Sequence, residues 1–151
     1  MLQRYALVVL RLFLGITFAI AAWPKVHAGA AYAGILQGFL ENFALPKALP
    51  FYQGFLNGVV IPHIGLFAGL VVAGETCVAI ALITGTATRV AGIVAMLLVT
   101  NYMFSKGMWW WYPASNDAAD FMIALALVIG AAGRTLGVDA WLHARFPRGP
   151  F

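Results

Sequence analysis

The sequence predicts an all-α integral membrane protein, a four-transmembrane-helix bundle with short amphipathic helices in a long outer loop between helices 1 and 2. Three observations carry this. Of 151 residues, 63% are hydrophobic and only 9% charged, whereas soluble domains carry about 25% charged residues. Four apolar stretches approach the roughly 20 residues that a helix needs to cross the hydrocarbon core. The arginines and lysines segregate to opposite ends of those stretches, as topology-setting charges do beside a bilayer.

Taken in order, the first span covers about 5–23 and is broken only by Arg11. It is expected to be retained, because Arg4 precedes a stretch of spanning length with no small-x-small cleavage site. The outer loop covers 24–63. The second span, 64–83, is broken only by Glu75; the third, 88–104, carries Asn101 near its far end. The fourth, 118–133, is short and begins near Asp120, and it reaches spanning length if Arg134 snorkels to the interface. A cytoplasmic tail, 134–151, completes a single membrane domain.

With four spans, Arg4, Arg89, Arg134, Arg145 and Arg148 share one side, and Lys25, Lys47 and Lys106 the other. Both termini are therefore expected in the cytoplasm. The aromatic run "MWWWYP" at 108–113, with Trp23, marks the outer interface. The net charge of +4 comes from scattered residues without a basic stripe, so no nucleic-acid partner is expected. The single cysteine, Cys77, excludes an internal disulfide or a CxxC pair, and in its apolar run it reads as a small buried packing residue.

Within the outer loop, "ILQGFLEN" (35–42) is echoed by "FYQGFLNG" (51–58). Apolar residues recur four apart, Ile35, Phe39 and Phe43 in one copy and Phe51, Phe55 and Val59 in the other, with Gln37, Glu41, Gln53 and Asn57 off those stripes. This is amphipathic helical spacing. Pro46 and Pro50 separate the copies. Two short helices in the membrane interface, or capping the bundle, are expected.

Glu75 requires an explanation, since a lone charge at mid-bilayer costs at least ~2.5 kcal/mol. Arg11 lies six residues from the inner end of the first span, about 9 Å at the helical rise, and Glu75 eight from the inner end of the second, roughly 12 Å. Consecutive antiparallel helices usually neighbour each other, so an Arg11–Glu75 pair is expected. It could lock two helices, serve a site in which Glu75 handles protons while Arg11 tunes it, or leave Glu75 to face another subunit.

A second polar group gathers at the outer ends: Asn101, Asp117, Asp120, Lys25, His27 and His63, among Trp23, Trp109, Trp110, Trp111 and Tyr112. Such a shelf offers a quinone head hydrogen-bond donors, aromatic walls and a proton carrier. An ordinary aromatic belt, with Asp117 or Asn116 as helix N-cap, is the competing reading; Asp120 and Asn101 fit it least, lying inside apolar stretches. The three histidines, 27, 63 and 143, have no diagnostic metal or haem spacing, so neither is expected.

In sequence order, "LRLFLGITFAIAAWPKV", the "GE" of the second span, "LITGTATRVAG" and "DFMIALALVIGAAGRTLGVDAWL" resemble the DoxX/DoxD family over about residues 5–143. The resemblance implies a four-helix protein of the bacterial or archaeal cytoplasmic membrane. It also implies kinship with the small membrane subunit of thiosulfate:quinone oxidoreductase and association with redox or thiol-detoxifying partners. Carried over by position, the family-like polar residues are Arg11, Glu75, Arg89, Asn101, Asp120, Arg134 and Asp139. An Arg89–Asp139 or Arg134–Asp139 pair would dock the tail Val138 to Phe146, with Gly133 capping the fourth helix. The lone cysteine argues against a dithiol relay of the vitamin K epoxide reductase type.

Three functions follow as expectations. The first is a quinone-linked redox membrane subunit with Glu75, Asp120 and Arg11 as catalytic candidates. In it Asn101, Trp23, Lys25, His27 and Trp110 contact the quinone, with no metal, and electrons come from another membrane or periplasmic subunit or from a bound organic substrate. The second is a non-catalytic assembly or anchor subunit of a larger complex. The third is a small-molecule or anion permease, which four spans manage only as a homo-oligomer.

Overall fold

The computed structural model describes residues 2–109 and 115–145, and every described element is helical. Helix α1 (Leu2–Ala28) runs without interruption through Pro24, so it continues a turn beyond the first apolar stretch. It leads through a short 3-10 turn into α2 (Tyr32–Phe39), which widens into a π-turn at Leu40–Ala44. Leu49 is extended ahead of α3 (Pro50–Phe55), which again widens into a π-turn, at Leu56–Val60. After the 3-10 turn Ile61–His63 come α4 (Ile64–Thr84), α5 (Thr88–Ser105) and α6 (Asn116–Gly130). A 3-10 turn at Ala132–Arg134 precedes the tail helix α7 (Val138–Arg145).

Among the described residues, three helical stretches are long and apolar enough to cross a membrane: Arg4–Ala44, Pro50–Thr84 and Thr88–Ser105. Two of them include the arms that follow or precede the long helices. Helix α6, with 15 residues, is shorter than these. The long helices pack in a closed ring, α1 on α4, α4 on α5, α5 on α6 and α6 back on α1. Their shared core is Leu14, Leu82, Ala95, Met103, Ala124 and Leu127, each fully buried. We name the two ends of this bundle by their charges, the Arg11 end and the Lys106 end.

The echoed segments build a second, smaller core. Leu40 and Ala44 of the first arm meet Leu56 and Val60 of the second, sixteen positions on, around Tyr52 and Ala48. The apolar stripes read from the sequence face the other way: Ile35, Phe39, Phe43, Phe51, Phe55 and Val59 are all exposed. Each arm is therefore apolar on two faces, one turned into the protein and one outward.

The Arg11 end is closed by a compact knot. The Arg11 guanidinium, 2% exposed, donates to the carbonyls of Ala132 (3.3 Å), Thr135 (3.4 Å) and Leu136 (3.0 Å). Asp139 accepts from the backbone N–H of Ala87 (2.6 Å) and of Thr88 (2.9 Å), and from the Thr88 hydroxyl. The tail thereby caps the start of α5 from outside that helix, satisfying N–H groups that have no intrahelical partner. This replaces the expected Arg89–Asp139 or Arg134–Asp139 pairing: the carboxylate goes to helix-end donors instead of a cation. Gly133 is not the cap of α6, which ends at Ala131 with φ +46°. Its role is close approach, since a Cβ there would lie 2.2 Å from Asp139 Oδ2 and 2.3 Å from Thr88 Oγ1. Gly85 is required twice over, by its φ of +72° and by Arg11 Nη1, 2.4 Å from where a Cβ would sit.

Candidate functional site

The expected Arg11–Glu75 pair does not form. Gly15 of α1 packs on Leu82 and Ile83 of α4, and this antiparallel register sets Arg11 beside the turn at Gly85, beyond the end of α4. In that register Glu75 is level with about residue 22 of α1, and Lys25, further along, reaches back to it. At the helical rise the levels of Arg11 and Glu75 differ by roughly 16 Å. The expectation failed because it aligned the ends of the apolar stretches, whereas α1 reaches past the end of α4.

Glu75 stands eleven residues into the 21-residue α4 and is 1% exposed. Lys25, reaching in from the Lys106 end of α1, donates to both carboxylate oxygens and forms the ion pair that Arg11 was expected to supply. The Tyr102 hydroxyl donates to Glu75 Oε1 at 2.6 Å, and the Lys25 ammonium sits 5.8 Å from the Tyr102 ring centre. A buried ion pair is tolerable only when such additional hydrogen bonds satisfy its charges. Beside it the Tyr52 hydroxyl donates to Asn101 Oδ1 at 2.6 Å, and Asn101 Nδ2 donates to the Leu97 carbonyl, also at 2.6 Å.

These groups form the polar end of a cavity of about 600 Å³. Apart from Tyr32, Ser105 and Lys106, its remaining walls are apolar and come largely from both arms at equivalent positions: Leu36, Phe39 and Leu40 from the first, Tyr52, Phe55 and Leu56 from the second. Phe67, Leu70 and Leu98 of α4 and α5 complete it. A largely hydrophobic chamber of this size with a few convergent polar groups has the form of a small-molecule site.

Of the candidate site residues read from the sequence, Glu75, Lys25 and Asn101 line this cavity, as does Lys106. Arg11 belongs to the knot at the far end. Asp120, half-buried on α6, lies outside the lining, to which α6 contributes nothing. Trp23 is 69% exposed and lies tilted against His27, ring centres 4.2 Å apart, whose Nδ1 lies 2.9 Å from the Trp23 carbonyl oxygen; neither lines the cavity. Asp117 pairs with Lys106 at 2.6 Å. The N-cap of α6 is Ser115, without a side-chain cap bond, instead of Asn116 or Asp117. Cys77 is exposed, contrary to its reading as a buried packing residue. Trp110, Trp111, Tyr112 and Pro113, with Phe146 and Arg148 of the tail, lie outside the described residues. Among the described residues no cluster of three or more His, Cys, Asp or Glu side chains could hold a metal ion.

The tyrosines Tyr32, Tyr52 and Tyr102 were missed. A signal existed for Tyr102: a three-residue turn joins α4 to α5, so equal distances from it put Glu75 level with about Leu97, and a long side chain from Tyr102, leaning toward the start of α5, reaches that level.

Fold and site together define an all-helical membrane protein with a chamber closed at one end by a buried Lys–Glu–Tyr group. A family model, DoxX, matches residues 6–108, more than half of the chain. The chain belongs to the DoxX family. Comparisons with curated proteins and with solved structures find no match.

Proposed function

We propose that this protein is the membrane subunit of a quinone-linked oxidoreductase and that the cavity receives the quinone head. The observation that carries the reading is an apolar chamber of about 600 Å³ ending on Lys25, Glu75 and Tyr102. In this reading α1, α4, α5 and α6 all cross the cytoplasmic membrane of a bacterium or archaeon, with both termini inside, as the arginine bias favours. Membership of the DoxX family supports a membrane role; the redox chemistry is our inference from the site.

The residues present fit such a ligand. A quinone supplies two-electron, two-proton chemistry when bound, with its electrons delivered by a partner subunit or an organic substrate. Lys25 has three N–H donors, of which Glu75 takes two, leaving one for a carbonyl oxygen. Asn101 Nδ2 likewise keeps one N–H beyond its bond to Leu97. Tyr102, bonded to Glu75 Oε1, gives the carboxylate a hydroxyl through which to exchange a proton at that atom. Arg11 and Asp120 take no part in this scheme.

The test is to saturate membranes containing the protein with a benzoquinone, purify it, and quantify the quinone extracted per chain. Wild type is expected to retain about one, and Glu75→Gln and Tyr102→Phe at least roughly tenfold less, each charge-assisted hydrogen bond being worth ~1.5–3 kcal/mol. No quinone on wild type, with partner subunits still bound, would leave the assembly-subunit reading standing.

A further inference from the structure

We propose that the cavity is loaded sideways from the hydrocarbon, through an opening framed by the two echoed arms and α4. This deepens the reading above and rests on it. The ligand class is a single-tailed amphiphile whose head accepts hydrogen bonds, and it moves head first toward Lys25, Glu75 and Tyr102.

The first observation is that four residues belong both to the cavity wall and to outward faces. Ile35 (58% exposed), Phe39 (46%) and Phe55 (37%) are on the outward stripes of the arms, and Leu70 (56%) is on the outward stripe of α4 with Leu66 and Ile80. A residue that lines a chamber while its side chain is largely exposed stands at the rim of an opening. All four are apolar, so the opening faces a medium that wets apolar groups. Leu70 lies six residues inside the start of α4, about 9 Å along the helix, which is hydrocarbon depth for a helix centred on the bilayer.

The second observation is the repeat itself. Gln-Gly-Phe-Leu recurs at 37–40 and 53–56, and each copy widens into a π-turn at its leucine, Leu40–Ala44 and Leu56–Val60. Single π-turns inside α-helices are rare and occur frequently at functional sites. Here they occur as a pair at matching positions on both sides of one chamber, with Phe39 and Phe55 as matching rim residues. Beyond Glu75 the bundle is sealed by Val78, Leu82 and Leu14, at most 1% exposed, so nothing reaches the cavity from the Arg11 end. The remaining route passes Lys106, whose side chain is 45% exposed and paired with Asp117. That opening is charged and suits water and protons, not a lipid tail.

The experiment uses the full chain in lipid vesicles and decyl-benzoquinone as probe, followed by quenching of the native tryptophan fluorescence in stopped flow. The double variant Ile35→Phe/Leu70→Phe narrows the apolar opening, Phe39→Ala/Phe55→Ala widens it, and Lys106→Phe obstructs the charged one. A gate alters association and dissociation together, so the narrowed variant is expected to slow both by roughly tenfold, with any change in Kd smaller than the change in either rate. The widened variant speeds both, and Lys106→Phe changes neither. Slowing by Lys106→Phe alone would overturn sideways loading while leaving the quinone reading intact. A raised Kd carried by faster dissociation alone, with association unchanged, would make the rim a contact surface and equally overturn the gate. Absence of saturable quenching in wild type would remove the quinone reading itself.

Discussion

Glu75 and Asp139 are both 1% exposed, both sit within an apolar chain, and they are built for opposite ends. Asp139 is held by two backbone N–H groups and a threonine hydroxyl, with Gly85, Gly133 and Gly137 drawn in until no Cβ would fit. Glu75 is held by the flexible ends of Lys25 and Tyr102 and borders about 600 Å³ of open chamber. Burial of a charge therefore marks neither structure nor function by itself. Partners fixed in the backbone, without space, make a lock; rotatable partners beside space make a site.

Backbone strain sharpens the contrast. The non-glycine residues with positive φ among the described residues, Ala87, Ala131 and Leu136, all lie at the Arg11 end. Such conformations cost of order 1–3 kcal/mol each and persist only where the surroundings over-determine them. Asp139 holds the Ala87 N–H, and Arg11 holds the Leu136 carbonyl. The largest expected effect follows. Asp139→Ala removes the external cap of α5, leaving the buried donors of Ala87 and Thr88 without their acceptor, and should cost about 3–5 kcal/mol, each unsatisfied buried donor costing ~1–3 kcal/mol. It is read from the unfolding midpoint in detergent. Gly133→Ala should approach it, by forcing Asp139 and Thr88 apart. If either proves milder than Glu75→Gln, the division between lock and site is wrong.

Glu75→Gln is the intermediate case. The amide still accepts from Tyr102, and Lys25, with 22% of its side chain exposed, can turn its ammonium toward water at the Lys106 end. We expect a loss of about 1–3 kcal/mol, smaller than for Asp139→Ala, together with loss of quinone retention. Circular dichroism melting and extraction on the same preparation separate the two effects. A protein that melts like wild type and keeps its quinone would remove Glu75 from the site.

Much of this was legible in the sequence, and the failures have one cause. Helix positions, the echo of the arms and the polar character of Glu75, Lys25 and Asn101 follow from hydropathy and spacing, which are local. Partner choice follows from register, which is not. Placing Arg11 against Glu75 required knowing how far α1 overshoots α4, and that is decided by Gly15 against Leu82 and Ile83 together with the folding back of Ala132 to Asp139 over the Arg11 end. The stripes of the arms were visible, but their second apolar face was not, because a helix apolar on two faces shows no single stripe.

Facing is the same difficulty at Cys77, and there it yields the smallest effect. Helix α4 is apolar all round apart from Glu75 and the threonines, so composition cannot say which side meets the protein. The structure exposes Leu66, Leu70 and Ile80 on one side, and Cys77, at helical spacing from Leu70 and Ile80, is exposed with them. It lies seven residues before the end of α4 at Thr84, roughly 10 Å along the helix, and so within hydrocarbon if α4 spans the bilayer. Cys77→Ala should therefore change stability by less than about 0.5 kcal/mol, as for a substitution away from the core. The thiol should react in vesicles with a lipid-soluble maleimide and resist a charged, impermeant one. Ready reaction with the charged reagent would put this face of α4 in water, and with it the rim at Leu70 through which the ligand is proposed to pass.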